Sequence, residues 1–405
     1  MKISTMPTEF KDALPILETI EAAGYEAYFV GGSVRDTLLN KPIHDVDIAT
    51  SAYPEEIKKI FKRTVDTGIE HGTVMILDHG TGYETTTFRT ESTYTDFRRP
   101  DEVTFVRSLS EDLKRRDFTV NALALTKSGE IIDLFGGVDD LNNKVLRAVG
   151  KAEERFHEDA LRMMRAVRFA AQLDFKIDED TQTAISDNAS LLANIAVERI
   201  NVEFTKLMQG SAASYGMVEL IKSGLNNYMP MLGNGDRDLA ALTLLLQVAQ
   251  PKTDNEAWTL LAFELGFNPT ATGKFLKAWK QPNDMIQVAK AAVTLMNKLR
   301  AGEVNDWELY QTKTAITTTL AVIKLSELHA DVNQLAERYQ ALPIKDKKEL
   351  AINGGELVKE LHLAPGPLFG KILAHLEYQV VMGQVPNEKM ALLNVAVEYA
   401  QKEKN

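Results

Sequence analysis

Asp45 and Asp47 are separated by one apolar residue, Val46, and followed by another, Ile48. That alternation over His44 to Ala49 is the period of a strand with one buried face, so both carboxylates are expected on the same side. Carboxylates held side by side repel each other, and a cation between them relieves the repulsion. Mg²⁺, which takes one or two protein carboxylates and completes its shell with water and substrate phosphates, is the expected metal. Upstream, Tyr28-Phe29-Val30 suits a buried strand that breaks at Gly31-Gly32. Ser33 is placed to cap a short helix running from Val34 to Leu39. A glycine pair leading into a helix lets backbone N–H groups approach a phosphate, and Arg35 and Asp36 stand at the same turn. Either feature alone is commonly a turn or a solvated strand. In this order and this close together, they point to phosphoryl transfer.

Two later clusters have side chains suited to the same chemistry. Leu113 to Leu123, LKRRDFTVNAL, crowds Arg115, Arg116, Asp117 and Asn121 into one segment that Phe118, Val120 and Leu123 can anchor. Glu158-Asp159-Ala160-Leu161-Arg162 is expected to head a helix whose apolar side continues through Met164, Val167 and Phe169. Asp159 and Arg162 would then be neighbours on one helix face, with Arg165 and Arg168 continuing the spacing. Taken alone, this is an intrahelical salt bridge with an arginine stripe. Glu84, alternating with Thr86, is a candidate third carboxylate or a surface residue.

The whole stretch VGGSVRDTLLNKPIHDVDIAT, Val30 to Thr50, closely resembles the signature of polymerase-β-like nucleotidyltransferases, and specifically of the bacterial class II CCA-adding enzymes. GIEHGTVMI (Gly68 to Ile76) resembles the HGTV segment of that family, and RRDFTVNA resembles its ribose-recognising motif. EDALR resembles its amino-acid template motif. Glu198-Arg199-Ile200-Asn201 with Glu203 resembles the motif that buttresses the template turn. The resemblance implies template-independent addition of CCA to the 3′ end of tRNA from CTP and ATP, by two-metal nucleotidyl transfer. Asp45 and Asp47 would be the catalytic metal ligands. Gly31, Gly32 and Arg35 would meet the triphosphate, while Arg116, Asp117 and Asn121 would meet the ribose. Asp159 and Arg162 would read the base, with Arg165 and Arg168 on nucleotide or phosphate. Cytosine and adenine both present an amino donor beside a ring-nitrogen acceptor, so one carboxylate and one guanidinium accept both and reject guanine and uracil.

The surrounding elements must hold these groups. Asp12 to Ala23 carries a helical apolar stripe that Gly24 can end, with Pro15 tolerable in its first turn. Pro54 opens an amphipathic helix, and strands are expected from Thr64, over Thr73 to Leu77, and over Tyr83 to Phe88. Thr90 to Arg107 is polar and proline-bearing and reads as a mobile loop, full length by comparison with the family. Ile131 to Gly150 resembles the part that closes the catalytic head. From Lys151 the period is helical, with breaks at Ser223-Gly224, Pro230, Gly266, Pro282 and Pro343. Trp258, Phe263, Phe267 and Trp279 are expected in a core, and Lys274, Lys277 and Lys280 form a small basic run. Ile352 to Glu388 resembles the family's tail, with Gly354-Gly355 and Pro365-Gly366-Pro367 shaping turns.

The expected fold class is α+β: a nucleotidyltransferase head with a small mixed sheet over residues 1–147, then a helical neck with the template motif (148–210), a helical body (211–330) and a helical, tRNA-binding tail (331–405). A chain of 405 residues accommodates several domains. The absence of cysteine rules out disulfides, thiolate zinc and cysteine nucleophiles, and agrees with a cytoplasmic setting. No secretory leader is visible, and the longest apolar run, Leu239 to Leu246, is too short to span a bilayer. A net charge of −11 argues against a surface coated for nucleic acid, but local cation clusters decide RNA binding. No protein partner is evident. No histidine lies between residues 158 and 328, which argues against the metal-dependent phosphohydrolase appendage of some relatives. The alternatives are an enzyme adding only the terminal adenosine, a poly(A) polymerase, and a non-catalytic RNA-binding protein. The tail sequence LLNVAVEYAQKEKN lacks the basic extension typical of the second, and no motif Asp or Arg is missing, as the last would require.

Overall fold

Glycine, proline and apolar spacing divide this chain into a sheet-bearing first part and a purely helical remainder. A computed structural model describes residues 1–91, 103–233, 236–361 and 367–402. The chain falls into two units, Met1–Gln247 and Val248–Asn405.

In the first unit, α1 (Thr8–Ala22) buries Phe10, Ala13, Ile16, Leu17 and Ile20. Pro15 lies inside this helix and not in its first turn. It is exposed, so the Lys11 carbonyl that loses an N–H partner is on the wet side. β1 (Ala27–Val30) pairs antiparallel with β2 (Asp47–Thr50), and between them runs α2 (Gly32–Leu38). After α3 (Pro54–Ile60) come β3 (Thr64–Gly68), β4 (Thr73–Asp78) and β5 (Thr81–Thr87). β6 (Arg89–Glu91) and β7 (Val103–Phe105) pair with each other and lead into α4 (Leu109–Lys114). Of the loop expected over 90–107, residues 92–102 lie outside the described residues. β8 (Leu123–Leu125), β9 (Ile131–Asp133), α5 (Gly137–Asn142) and β10 (Val145–Leu146) follow. The seven-stranded sheet has the order β3-β4-β5-β2-β1-β8-β9 and is mixed, because β2 and β5 run parallel. Val30, Ala49, Phe88, Leu109, Leu113 and Ala124 form a core that fastens α4 to β1, β2 and β8.

Three local expectations change. Gly31 (φ 73°), not Ser33, precedes the first turn of α2, because its left-handed backbone reverses the chain earlier. Ser33 is buried instead, its hydroxyl donating to Val30 O at 3.1 Å. The strand expected from His44 begins only at Asp47, since β1 ends at Val30 opposite Asp47 and offers earlier residues no ladder partner. The EDALR segment does not head one helix. α6 (Ala152–Glu158) stops, Asp159 is extended at φ −142° and ψ 103°, and α7 (Leu161–Leu173) starts afresh.

α7 is buried on most of its circumference and packs against α9 (Val197–Met208) and α10 (Ala213–Lys222), which follow β11 (Lys176–Ile177) and α8 (Glu179–Asn188). α11 (Asp236–Leu245) lies next to α10. A Cβ added to Gly216 would lie 2.6 Å from Ala171 Cβ and 2.8 Å from Val167 O, so only glycine permits this approach of α10 to α7. Gly216→Val therefore forces the helices apart and is expected to cost at least about 1–3 kcal/mol. A denaturant melt measures it, and an unchanged midpoint would refute the packing argument.

The second unit contains only helices: α12 (Asp254–Glu264), α13 (Pro269–Ala278), α14 (Asn283–Ala301), α15 (Asp306–Tyr310), α16 (Ile316–Leu325), α17 (Val332–Ala341), α18 (Gly354–Leu361), α19 (Pro367–Val381) and α20 (Lys389–Lys402). Trp258 and Trp279 are fully buried with ring centroids 4.9 Å apart, and Phe263 is buried. Phe267 is only half-buried, at the turn between α12 and α13. Lys274, Lys277 and Lys280 are exposed. Gly354-Gly355 opens α18, while Pro365 and Gly366 lie outside the described residues. Among the described residues, no helix is long and apolar enough to cross a membrane.

Candidate functional site

A cavity of about 850 Å³ in the first unit is lined by β1, β2, β5, α4, α7 and the segments between them. Its wall carries eight arginines and five carboxylates, a local excess of three positive charges in a chain of net charge −11. A phosphate-bearing ligand would meet guanidinium groups on most sides.

Gly31 turns the chain at the end of β1, where β2 and the arginine segment both approach. A Cβ there would lie 3.3 Å from Arg116 Nη1 and 3.6 Å from Asp47 Oδ2. Gly32 and Arg35 line the same edge. Arg35 is held by Asp36 (Nε to Oδ1, 2.9 Å) and by Asn121 (Nη1 to Oδ1, 2.7 Å).

The register Ile48↔Thr85 puts Asp47 beside Glu84 on neighbouring parallel strands. Both line the cavity, and so does Thr86. Burial pushes the Asp47 carboxyl up, the Glu84 charge adds to this, Arg116 opposes it, and Asp45 raises it further. Asp45 is exposed on the segment before β2 and is not part of the cavity wall. Among the described residues, no group of three or more His, Cys, Asp or Glu side chains is arranged to hold a metal ion. The donors at hand are thus two or three hard carboxylates whose mutual repulsion Arg116 offsets only in part. They fit a hard divalent ion that takes its remaining ligands from phosphate and water.

Asp117 is saturated. Oδ1 accepts from the Phe118 N–H (2.8 Å) and Asn121 Nδ2 (3.1 Å), and Oδ2 accepts from Arg165 Nε (2.8 Å) and Nη2 (2.5 Å). Burial alone would raise its pKa, but Arg165 and Asn121 outweigh that and hold it well below the usual carboxylate range. Asp159 Oδ1 accepts from the Leu161 N–H at 3.0 Å. Arg199 grips both of its oxygens, at 3.3 and 2.7 Å. Arg162 donates to Glu158 Oε2 (3.0 Å) and to Arg115 O (2.8 Å), which ties α7 to the arginine segment. Arg168 is bound by buried Glu203 (2.7 Å) and Gln172 (2.8 Å).

Of the residues expected at metal, triphosphate, ribose or base, all except Asp45 are therefore brought to one cavity, whereas Glu198 and Glu203 do not line it. Others were not anticipated there. Phe169, read as an apolar helix residue, is faced by Arg168, Arg35 and Arg165 at 3.6, 5.2 and 5.3 Å from its centroid. Asp112 is 1% exposed and accepts from Arg115 and Arg116. Its three- and four-residue spacing to those arginines was the available signal.

The family model described as Poly A polymerase head domain matches residues 27–147, and one described as Probable RNA and SrmB- binding site of polymerase A matches 174–234. One described as tRNA nucleotidyltransferase domain 2 putative matches 249–396. The CCA-adding enzyme of Latilactobacillus sakei is 56% identical over 98% of this chain and 100% of its own length, and that of Lactiplantibacillus plantarum 55% over 98% of both. The crystal structure of the Bacillus stearothermophilus CCA-adding enzyme in complex with CTP is 40% identical, with a TM-score of 0.86 over 98% of this chain and 99% of that one. Membership of such a nucleotidyltransferase family implies dependence on a divalent metal. A near full-length likeness at this identity, on the same mixed sheet and helices, means that this chain belongs to the CCA-adding enzyme family.

Proposed function

We propose that the protein extends the 3′ end of tRNA to CCA, without a nucleic-acid template, using CTP and ATP. It is a tRNA nucleotidyltransferase. The observation that carries the reading is the convergence of Asp47, the Gly31-Gly32 turn, and Asp159 with Arg162 on one arginine-rich cavity. The head, 1–147, would supply the chemistry, and the neck, 148–210, the base-reading groups. The body, 211–330, and tail, 331–405, would hold the tRNA. The cytoplasm, where tRNA matures, is the setting.

Asp45 and Asp47 would hold Mg²⁺, with Glu84 beside them. When bound, Mg²⁺ supplies positive charge that eases deprotonation of the primer hydroxyl and offsets charge at the transferring phosphate. The Gly31-Gly32 turn and Arg35 bind and orient the triphosphate. Arg116 and Asn121 approach the ribose, and Asp117 fixes Asn121 and Arg165 around it. Asp159 accepts the exocyclic amino group of cytosine or adenine, and Arg162 donates to the adjacent ring nitrogen. Arg199 and Glu158 keep those two side chains in place while Arg165 and Arg168 add positive charge. Pre-positioning of this kind lowers the barrier by removing reorientation at the moment of reaction.

The direct test offers purified protein a tRNA lacking CCA with CTP alone, ATP alone, or both. Two cytidines from CTP, and a terminal adenosine only when both are present, are expected. A single adenosine added only to tRNA already ending in CC would instead mark an A-adding enzyme, and long adenosine tails a poly(A) polymerase.

A further inference from the structure

Asp112 is the buried carboxylate on which the arginine segment of this site is hung. It lies in α4, whose Leu109 and Leu113 are part of the core beneath β1, β2 and β8, so its position is fixed by packing. Its Oδ1 accepts from Arg115 Nε (3.0 Å) and Nη2 (2.8 Å), and from the Arg89 backbone N–H (3.3 Å). Its Oδ2 accepts from Arg116 Nη2 at 3.2 Å. The second edge of the Arg116 guanidinium is held only loosely, by Nη1 to Asn121 O at 3.4 Å, and its buried Nε has no partner among the described residues. Arg116 is thus restrained at one nitrogen by Asp112 and keeps donors for the cavity.

We infer that Asp112 is a positioning residue for sugar recognition: it aims Arg116 at the ribose hydroxyls of the incoming nucleotide. The inference rests on the ribose role proposed above for Arg116. Among the described residues, Asp112 makes no direct hydrogen bond to the side chains of Asp159 or Arg162. Asp159 is held by Arg199, and Arg162 by Glu158 and by the Arg115 carbonyl, a main-chain group placed by the end of α4 and not by the Arg115 guanidinium that Asp112 binds. Choice of sugar should therefore depend on Asp112, and choice of base should not.

Asp112→Asn keeps the side chain's shape but replaces one acceptor oxygen with a donor, so Arg115 or Arg116 faces a like group. The expected result is a loss of roughly tenfold in the preference for CTP over dCTP, read as the ratio of kcat/KM, since a hydrogen bond between charged groups is lost. The preference for CTP and ATP over GTP and UTP should stay as in the wild type. In an Arg116→Ala background, Asp112→Asn should cause no further fall in the CTP/dCTP ratio. Circular dichroism melts accompany each variant. If Asp112→Asn lowers both nucleotides alike and leaves the sugar ratio intact, it is a structural carboxylate only and the inference fails. The same holds if its effect on the ratio persists without Arg116. If Arg116→Ala itself leaves the ratio unchanged, the ribose role of Arg116 is what fails, and Asp112 loses its function with it.

Discussion

Asp47→Asn is expected to abolish nucleotide addition to tRNA while leaving the melting temperature at or above that of the wild type. The side chain is enclosed near Glu84 and Asp45, and burial and those charges disfavour its ionised form. An isosteric amide removes this repulsion, so the apo fold loses nothing that Asp47 was supplying. It also removes a negatively charged ligand that a hard divalent cation requires. The charge neutralisation forfeited at the transition state amounts to several kcal/mol, or roughly a thousandfold or more in rate. Incorporation of labelled CTP, run beside a thermal melt with and without Mg²⁺ and CTP, reads both parts. Turnover within about tenfold of the wild type would overturn the metal-ligand assignment. A lowered apo melting point would overturn the electrostatic argument for the site.

The second large effect concerns base choice. Arg162→Ala removes the donor facing cytosine N3 or adenine N1 and should cost CTP and ATP roughly ten- to a hundredfold in kcat/KM. Asp159→Ala has a different signature. The carboxylate that would repel guanine O6 and uracil O4 is gone, so GTP and UTP should gain relative to ATP and CTP. Arg199, released from both Asp159 oxygens, is left with spare donors near the same edge and can favour those carbonyls further. Measuring kcat/KM for all four triphosphates gives the ranking. Should Asp159→Ala depress every nucleotide equally with the order unchanged, the Asp159–Arg199 pair only joins α9 to the start of α7, and base reading must lie elsewhere.

The sequence by itself determined the chemistry and its constituents. Asp-x-Asp after a glycine turn, and the arginine–aspartate segments further on, are short-range patterns whose meaning depends on residue type and spacing. The helical period beyond Lys151 and the glycine and proline breaks were legible for the same reason: local backbone preference decides them. What only the tertiary structure decided is which groups hold one another. The start of β2 at Asp47 follows from where β1 runs out of residues to pair, which no pattern inside His44 to Ala49 encodes. The interruption at Asp159 is likewise non-local, since Arg199, forty residues away in sequence, binds that carboxylate while it stands outside both helices. Phe169 read as an ordinary core aromatic, and Asp112 carried no reading at all. Most of their arginines are local; what packing adds is the burial of Asp112, as Leu109 and Leu113 seat α4 on the sheet, and the approach of Arg35 from α2 to the Phe169 ring. A buried charge is stable only with partners: Asp159 and Glu203 find theirs forty and thirty-five residues away in sequence, which only the packed fold decides, whereas the arginines of Asp112 are local and only its burial is tertiary.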